Sequence, residues 1–86
     1  MIVRIPSPLR SYCAERAEIS VSGSTVMDVL SNLESECPGI RFRMIDEQDR
    51  IRQHIRIFLN SDQIESLQTI VKPSDTVHII CALSGG

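Results

Sequence analysis

The chain has 86 residues, a formal net charge of −2 and few aromatic side chains: two Phe, one Tyr and no Trp. A chain of this length forms one domain and buries only about 60% of the surface that its unfolded form exposes, so a deep enclosed active site is not expected. The small negative charge argues against binding to nucleic acid or to an anionic membrane, because both need clustered Lys and Arg.

The N-terminal segment predicts two strands. Residues 2–5 alternate with period two and start directly as a strand, so neither a secretion signal nor a membrane segment is expected. Pro6 and Pro8 end this strand because neither has an N–H to donate to a ladder. A loop that includes Tyr12 leads to a second strand at residues 18–21, which is close enough to pair back as a hairpin partner.

One amphipathic helix is predicted after the second strand. Ser24 or Thr25 is suited to cap it, and Asp28 falls in the first turn, where the helix dipole favours negative charge. The sequence Cys37-Pro38-Gly39 ends it. Apolar side chains recur at three- and four-residue spacing along one face: Val26, Val29, Leu30 and Leu33.

Residues 40–54 are ambiguous from sequence. The apolar side chains of Ile40, Met44 and Ile45 are compatible with a short second helical turn, whereas Asp46-Glu47-Gln48-Asp49 is typical of a solvated loop. The pattern does not choose a structure for this segment.

The C-terminal half predicts two more strands. Residues 55–59 form the first, ended by the turn-forming sequence Asn60-Ser61-Asp62, with Ile64 and Leu67 anchoring a short segment beneath it. A turn at residues 72–75 precedes the last strand, residues 76–82. The expected domain covers residues 1–83, and residues 84–86 are expected to form a flexible tail.

The tail has the composition of a segment that is threaded through a channel. Gly85 and Gly86 follow Ser84 at the end of a strand, and glycine is the residue that loses most conformational freedom when it is ordered. A frayed terminus is the ordinary explanation. The alternative is that a tail without bulky side chains brings the terminal carboxylate of Gly86 into a narrow site, and the strand followed by Gly-Gly favours this second interpretation.

The carboxylate of Gly86 could serve as an acyl donor once it is activated. It is ionised at neutral pH and can attack the α-phosphorus of ATP, and a persulfide or sulfide can then displace AMP to leave a thiocarboxylate. The chain has neither GxxxxGK[ST] nor GxGxxG, so no ATP site of its own is expected. A separate enzyme must use the ATP, and the chain is expected to bind no cofactor.

Several short sequences, together with the order of elements, resemble the ThiS/MoaD family of sulfur carriers over essentially the whole chain. Asn60-Ser61 and Ser74-Asp75 depart from the Asn-Gly and Gly-Asp that are usual in this family, and Cys81 stands where Pro is common. The sequences that carry the resemblance are Ser24-Thr25-Val26, Cys37-Pro38-Gly39-Ile40, Met44-Ile45-Asp46, Ile57-Phe58-Leu59-Asn60, Ser74-Asp75-Thr76-Val77 and Gly85-Gly86.

The resemblance implies an α+β fold, the ubiquitin-like β-grasp, with a mixed four- to five-stranded sheet curled around one main helix. It implies a cytoplasmic protein cosubstrate, monomeric alone, that is adenylated at Gly86 by a ThiF/MoeB-type enzyme and then docks on a sulfur-accepting synthase. Within the family the length of the region from Pro38 to His54 is most similar to the CysO-like branch. The cysteine route is therefore slightly favoured over molybdopterin, thiamin or a secondary metabolite.

Three other functions stay open. Gly86 could form isopeptide bonds with lysine, as in a ubiquitin-like modifier. The chain could be the small subunit of a molybdopterin synthase, or it could be an interaction module whose Gly-Gly end has no chemical role.

A docking face is expected on the sheet, because ordering a tail costs about 1 to 2 kcal/mol per residue and the body of the domain should offset that cost. Alternation places Phe58, His78 and Ile80 on the face away from the helix. The resemblance supports this face as the partner site.

Other reactive side chains are interpreted as structural. Three cysteines without C-x-x-C spacing predict neither a disulfide framework nor a zinc site, so Cys13, Cys37 and Cys81 are expected to be inert apolar residues in a reducing compartment. His54 and His78 are too far apart to indicate a metal, and none is expected. A local excess of arginines is interrupted by acids and is interpreted as a solvated mixed-charge face, although it could guide a partner: Arg41, Arg43, Arg50, Arg52 and Arg56.

Overall fold

The computed structural model describes residues 1–82. The predicted tail residues Ser84, Gly85 and Gly86 lie outside the described residues, as does the predicted boundary between domain and tail. Five strands, two α-helices and one 3₁₀ helix occur in chain order: β1 (Ile2–Arg4), the 3₁₀ helix (Ser7–Cys13), β2 (Glu18–Ser20), α1 (Val26–Glu36), α2 (Ile40–Met44), β3 (Ile55–Leu59), β4 (Asp62–Ile64) and β5 (Thr76–Cys81).

The five strands form one mixed sheet in the order β2-β1-β5-β3-β4. β5 is the central strand, parallel to β1 and antiparallel to β3. The outer pairs, β1 with β2 and β3 with β4, are antiparallel hairpins. This topology confirms the mixed sheet that the sequence predicted, with five strands.

Helix α1 covers one face of the sheet. Its predicted cap is confirmed, since the Thr25 hydroxyl accepts a hydrogen bond from the Asp28 N–H and the Asp28 carboxylate accepts one from the Ser24 N–H, both at 3.2 Å. This reciprocal pairing satisfies two donors at the start of the helix. The predicted apolar face is fully buried, and each such side chain contributes about 1.5 to 3 kcal/mol by leaving water: Val26, Val29, Leu30 and Leu33.

The ambiguous segment after α1 forms the short helix α2 and a turn. Gly39 has φ of +96°, a left-handed conformation that favours glycine, and the ring of Tyr12 packs against it. The Glu34 carboxylate accepts hydrogen bonds from the N–H groups of Gly39 at 2.7 Å and of Arg41 at 2.8 Å. These contacts begin the new helix, and the predicted apolar residues Ile40, Met44 and Ile45 are buried below it.

Two predictions of loop structure are corrected. The segment expected to be a loop through Tyr12 is the 3₁₀ helix, which begins directly after Pro6 and carries Pro8 in its first turn, where a missing N–H has no cost. The short segment after β3 begins as β4, which pairs with β3 through Ile64 opposite Ile57. Leu67 is buried as predicted.

A disulfide joins Cys13 and Cys37, contrary to the prediction that neither would pair. The two residues are 24 positions apart, but the end of the 3₁₀ helix packs against the end of α1, and their Cα atoms are 4.8 Å apart. Both side chains are buried, with exposed fractions of 1% and 0%. Spacing in the sequence could not reveal this pair because it depends on the tertiary path.

We expect the disulfide to stabilise the domain by restricting its unfolded chain. The chain-entropy model assigns on the order of 3 kcal/mol to a loop of this length, so dithiothreitol should lower Tm by about 10 °C or more. Circular dichroism melting curves measure the shift. The Cys13→Ser/Cys37→Ser variant is the control and should melt at the temperature of the reduced protein with or without reductant. Detection of three free thiols in the unreduced, denatured protein would contradict the pairing.

The start of β5 is held by Asn60 and Asp75. The Asn60 amide donates to the Asp75 carboxylate at 3.0 Å, and the Asn60 side-chain oxygen accepts from the Thr76 N–H at 3.0 Å. The Asp75 carboxylate also accepts from the Lys72 N–H at 2.8 Å. The Asn60 hydrogen bond first, then that of Lys72, holds the pKa of Asp75 below its ordinary value of 3.8.

Asp75→Asn should therefore destabilise the domain in a pH-dependent way. Because the folded-state pKa is below the unfolded value, the carboxylate stabilises the fold above the unfolded pKa, and this contribution is lost as pH falls through the folded pKa. The difference in Tm between wild type and variant should be largest at neutral pH and shrink below about pH 4. Asp62→Asn, an equal change in net charge, is the control. A difference that is constant from pH 7 to pH 3 would contradict the role assigned to Asp75.

Candidate functional site

The last strand determines where the end of the described chain lies relative to the sheet. β5 is hydrogen-bonded to β1 over residues 76–78 and to β3 over residues 77–81, and beyond its end the Ala82 N–H donates to the His54 carbonyl at 2.7 Å. The chain path is thus defined up to four residues before Gly86. Four residues span at most about 14 Å, so any chemistry at Gly86 is limited to that distance from Ala82.

The open face of the sheet brings together the three predicted docking residues. Phe58 on β3 is directly opposite His78 on β5, and Ile80 lies two positions along β5 on the same face. Their neighbours Ile57, Val77 and Ile79 point the other way and are buried beneath α1. Phe58 and His78 are half-buried, and Ile80 is 45% exposed. The predicted placement is confirmed, and the predicted role in docking stays a prediction.

Arg56 is an additional residue of this face that the sequence interpretation did not assign to it. It is opposite Ile80 in the β3–β5 ladder, and it is exposed. The signal was present in the sequence, because Arg56 precedes Phe58 by two positions and period two places them on one face. Arg4 also lies on the open face, opposite His78, but it is paired with Glu18 at 2.7 Å.

The other four arginines of this basic segment make local contacts, and two of them pair with acids, which confirms the mixed-charge interpretation for those two. Arg41 pairs with Asp49 at 3.3 Å and Arg50 with Asp46 at 3.5 Å. Arg43 donates to the Tyr12 hydroxyl at 2.6 Å. The remaining one, Arg52, donates to the Phe42 carbonyl at 2.6 Å and lies over the Phe42 ring.

Two grooves of the described surface differ in their distance along the chain from the predicted tail. The larger, about 650 Å³, runs between the residue 49–53 segment and β4, with arginines, glutamines and acids mixed along it. The smaller, about 470 Å³, lies beside the end of β5, and its described lining is Gln53, His54, Arg56 and Ala82. We call this second groove the tail-root groove.

Within residues 1–82 the His, Cys, Asp and Glu side chains do not form a metal centre. No three His, Cys, Asp or Glu side chains in this range are placed to hold a metal ion. Burial raises the pKa of the Cys81 thiol, which keeps it in the protonated and poorly nucleophilic form. Cys13 and Cys37 are joined to each other. The described chain also has no helix long and apolar enough to cross a membrane.

Sequence comparison agrees with this architecture. The sequence model of the ThiS family matches residues 3–86. The chain belongs to the ThiS family. It is 30% identical over 89 residues to the sulfur carrier protein CysO of Mycobacterium tuberculosis H37Rv, an alignment that covers 98% of this chain and 96% of that protein.

Two solved structures are similar to this chain over nearly its full length. A chain in the crystal structure of the Amycolatopsis orientalis BexX/CysO complex matches with a TM-score of 0.92 and 28% identity, covering 99% of this chain and 98% of that one. The small archaeal modifier protein 1 of Methanosarcina acetivorans matches with a TM-score of 0.82 and 29% identity, covering 99% and 94%. These similarities confirm the β-grasp fold and the CysO-like resemblance.

Proposed function

We propose that this ThiS-family chain is a sulfur carrier whose C-terminal Gly86 carboxylate is converted to a thiocarboxylate. The observation that carries the proposal is the family match, which extends through residue 86 and so includes the terminal Gly85-Gly86. The position of β5 supports it, because the central strand leads directly into the reactive end. Ser84 and Gly85 are proposed to thread the tail, and Gly86 to carry the reacting group.

The proposed reaction has two steps. A carboxylate oxygen of Gly86 attacks the α-phosphorus of ATP, which forms an acyl adenylate and releases pyrophosphate. Hydrosulfide then attacks the carbonyl carbon, the bond to AMP breaks, and the product is a thiocarboxylate with release of AMP and a proton. A persulfide donor would first give an acyl disulfide that a thiol must reduce.

The chain is proposed to act as a protein cosubstrate and not as an enzyme. An adenylating enzyme of the ThiF/MoeB type is expected to hold the ATP, since residues 1–86 contain no phosphate-binding motif, and a synthase is expected to take the sulfur. Because adenylation needs ATP, we expect the activity to be in the cytoplasm. We expect the chain to be a monomer that forms hetero-complexes with these two partners.

The cysteine route is the favoured destination of the sulfur, because the curated relative at 30% identity is a CysO sulfur carrier. The second candidate is protein modification through Gly86, and its support is the likeness to the archaeal modifier protein at 29% identity. A small subunit of molybdopterin synthase has no comparable support among these relatives.

Intact-mass measurement separates the candidates. After incubation with the activating enzyme, ATP and sulfide, a carrier should gain the mass of one sulfur atom less one oxygen atom at Gly86. Deleting Gly86 should abolish this gain without a change in Tm, because the helices and strands that build the described core all lie before residue 82.

Two outcomes would contradict the proposal. In the first, the deletion variant still acquires sulfur. In the second, the wild-type chain is adenylated but is recovered only as conjugates on lysine side chains.

The docking face should be needed for adenylation but not for folding. Phe58→Ala and Ile80→Asp remove apolar surface from the open side of the sheet, so pyrophosphate exchange should fall by about tenfold or more while the melting curve keeps its cooperativity. Ile70→Asp is a matched control, because Ile70 is an exposed apolar residue outside that face. Unchanged exchange kinetics in both face variants would show that partners dock elsewhere.

A further inference from the structure

We propose that Arg56 and the tail-root groove bind an acidic side chain of the activating enzyme at the mouth of the channel that receives the tail. The proposal rests on the proposed function and assigns a specific recognition contact to it. This contact would orient the end of the domain at Ala82 toward the partner, whereas the apolar docking face would supply buried contact area.

The maximum length of the tail determines which part of the partner's surface the groove must contact. At most about 14 Å separates Ala82 from Gly86, and Ala82 itself lines the groove. When the carboxylate is in the partner's active site, the groove must therefore face the surface around the channel entrance. The larger groove does not include Ala82 in its lining.

The chemistry of the lining selects an acidic group. Its described side chains are an amide, an imidazole and a guanidinium, from Gln53, His54 and Arg56, and no carboxylate is among them. Arg56 uses one guanidinium nitrogen for the Gln53 carbonyl at 2.6 Å and the Ile55 carbonyl at 3.1 Å. Within residues 1–82 it forms no ion pair, whereas Arg4 on the same face is neutralised by Glu18.

The two carbonyl contacts orient the guanidinium without using all of its N–H donors. Both acceptors belong to the chain just before or at the start of β3, so they hold Arg56 beside the groove and leave its other N–H groups for a partner. An arginine that is already oriented loses less conformational freedom when it pairs with a carboxylate. Arg56 also lies opposite Ile80, so the charged contact is continuous with the docking face.

The test is the steady-state adenylation of purified variants by the activating enzyme, measured at low and at physiological salt. We expect Arg56→Gln to raise KM for the carrier about fivefold and Arg56→Glu about tenfold or more, with kcat little changed, because a charge at an interface mainly affects encounter and complex stability. Arg56→Lys should restore most of the affinity. Wild-type KM should rise with salt, and that of Arg56→Gln should rise less.

Arg43→Gln is the matched control because it removes an equal charge from an exposed arginine outside the docking face, one that donates to the Tyr12 hydroxyl. We expect its KM to stay within about twofold of wild type. Equal effects of the Arg43 and Arg56 variants would overturn the proposal. A loss of cooperative melting in both Arg56→Gln and Arg56→Lys that accounts for their raised KM would also overturn it.

Two further results are decisive. A lower KM for Arg56→Gln would overturn the proposal. It would indicate instead that the chain's own terminal carboxylate occupies the groove. If the wild-type chain were not adenylated at all, the proposed function would fail, and this is distinguishable from an adenylated wild type whose KM is insensitive to Arg56.

Discussion

The pairing of β5 with a strand on each side is the constraint on which the rest of this structure depends. β1 pairs with residues 76–78 of β5, and β3 pairs with residues 77–81. Val77 and Ile79 anchor the strand in the core. Displacing β5 would break both ladders and open the core, so the strand holds Ala82 at a defined place beside His54.

The two faces of the sheet have different roles because the side chains of β3 and β5 alternate between them. Ile57, Val77 and Ile79 build the core, while Phe58 and Ile80 are left on the open side. Substitutions on the open side can therefore change recognition without removing core volume. The sheet thus holds its open face and Ala82 in a fixed relation, and under the proposed function the chemistry of activation belongs to partner enzymes.

Local signals predicted the elements whose pattern is set by neighbours in sequence. The spacing of Val26 to Leu33 and the capping residue Thr25 were sufficient to place α1, and the alternation around Phe58 and His78 was sufficient to place the open face. The tail was recognised from composition and from resemblance to a family, and its residues lie outside the described structure.

Features set by tertiary contacts were missed or left open. The Cys13–Cys37 pair depends on two helix ends that meet only after folding. Helix α2 depends on Glu34 accepting hydrogen bonds from Gly39 and Arg41, a contact that no periodicity reveals. Arg56 was grouped with its basic neighbours in sequence, whereas its position on the sheet separates it from them.

The fate of the transferred sulfur tests the central claim most directly. The purified chain would be loaded by its activating enzyme with ATP and isotope-labelled sulfide, freed of excess sulfide, and mixed with extract of the source cells while its intact mass is followed. The account predicts that the chain returns to its starting mass, that the label appears in small molecules, and that the same chain can be loaded again. Label that stays on the chain, or a chain consumed by attachment to lysine side chains, would contradict it.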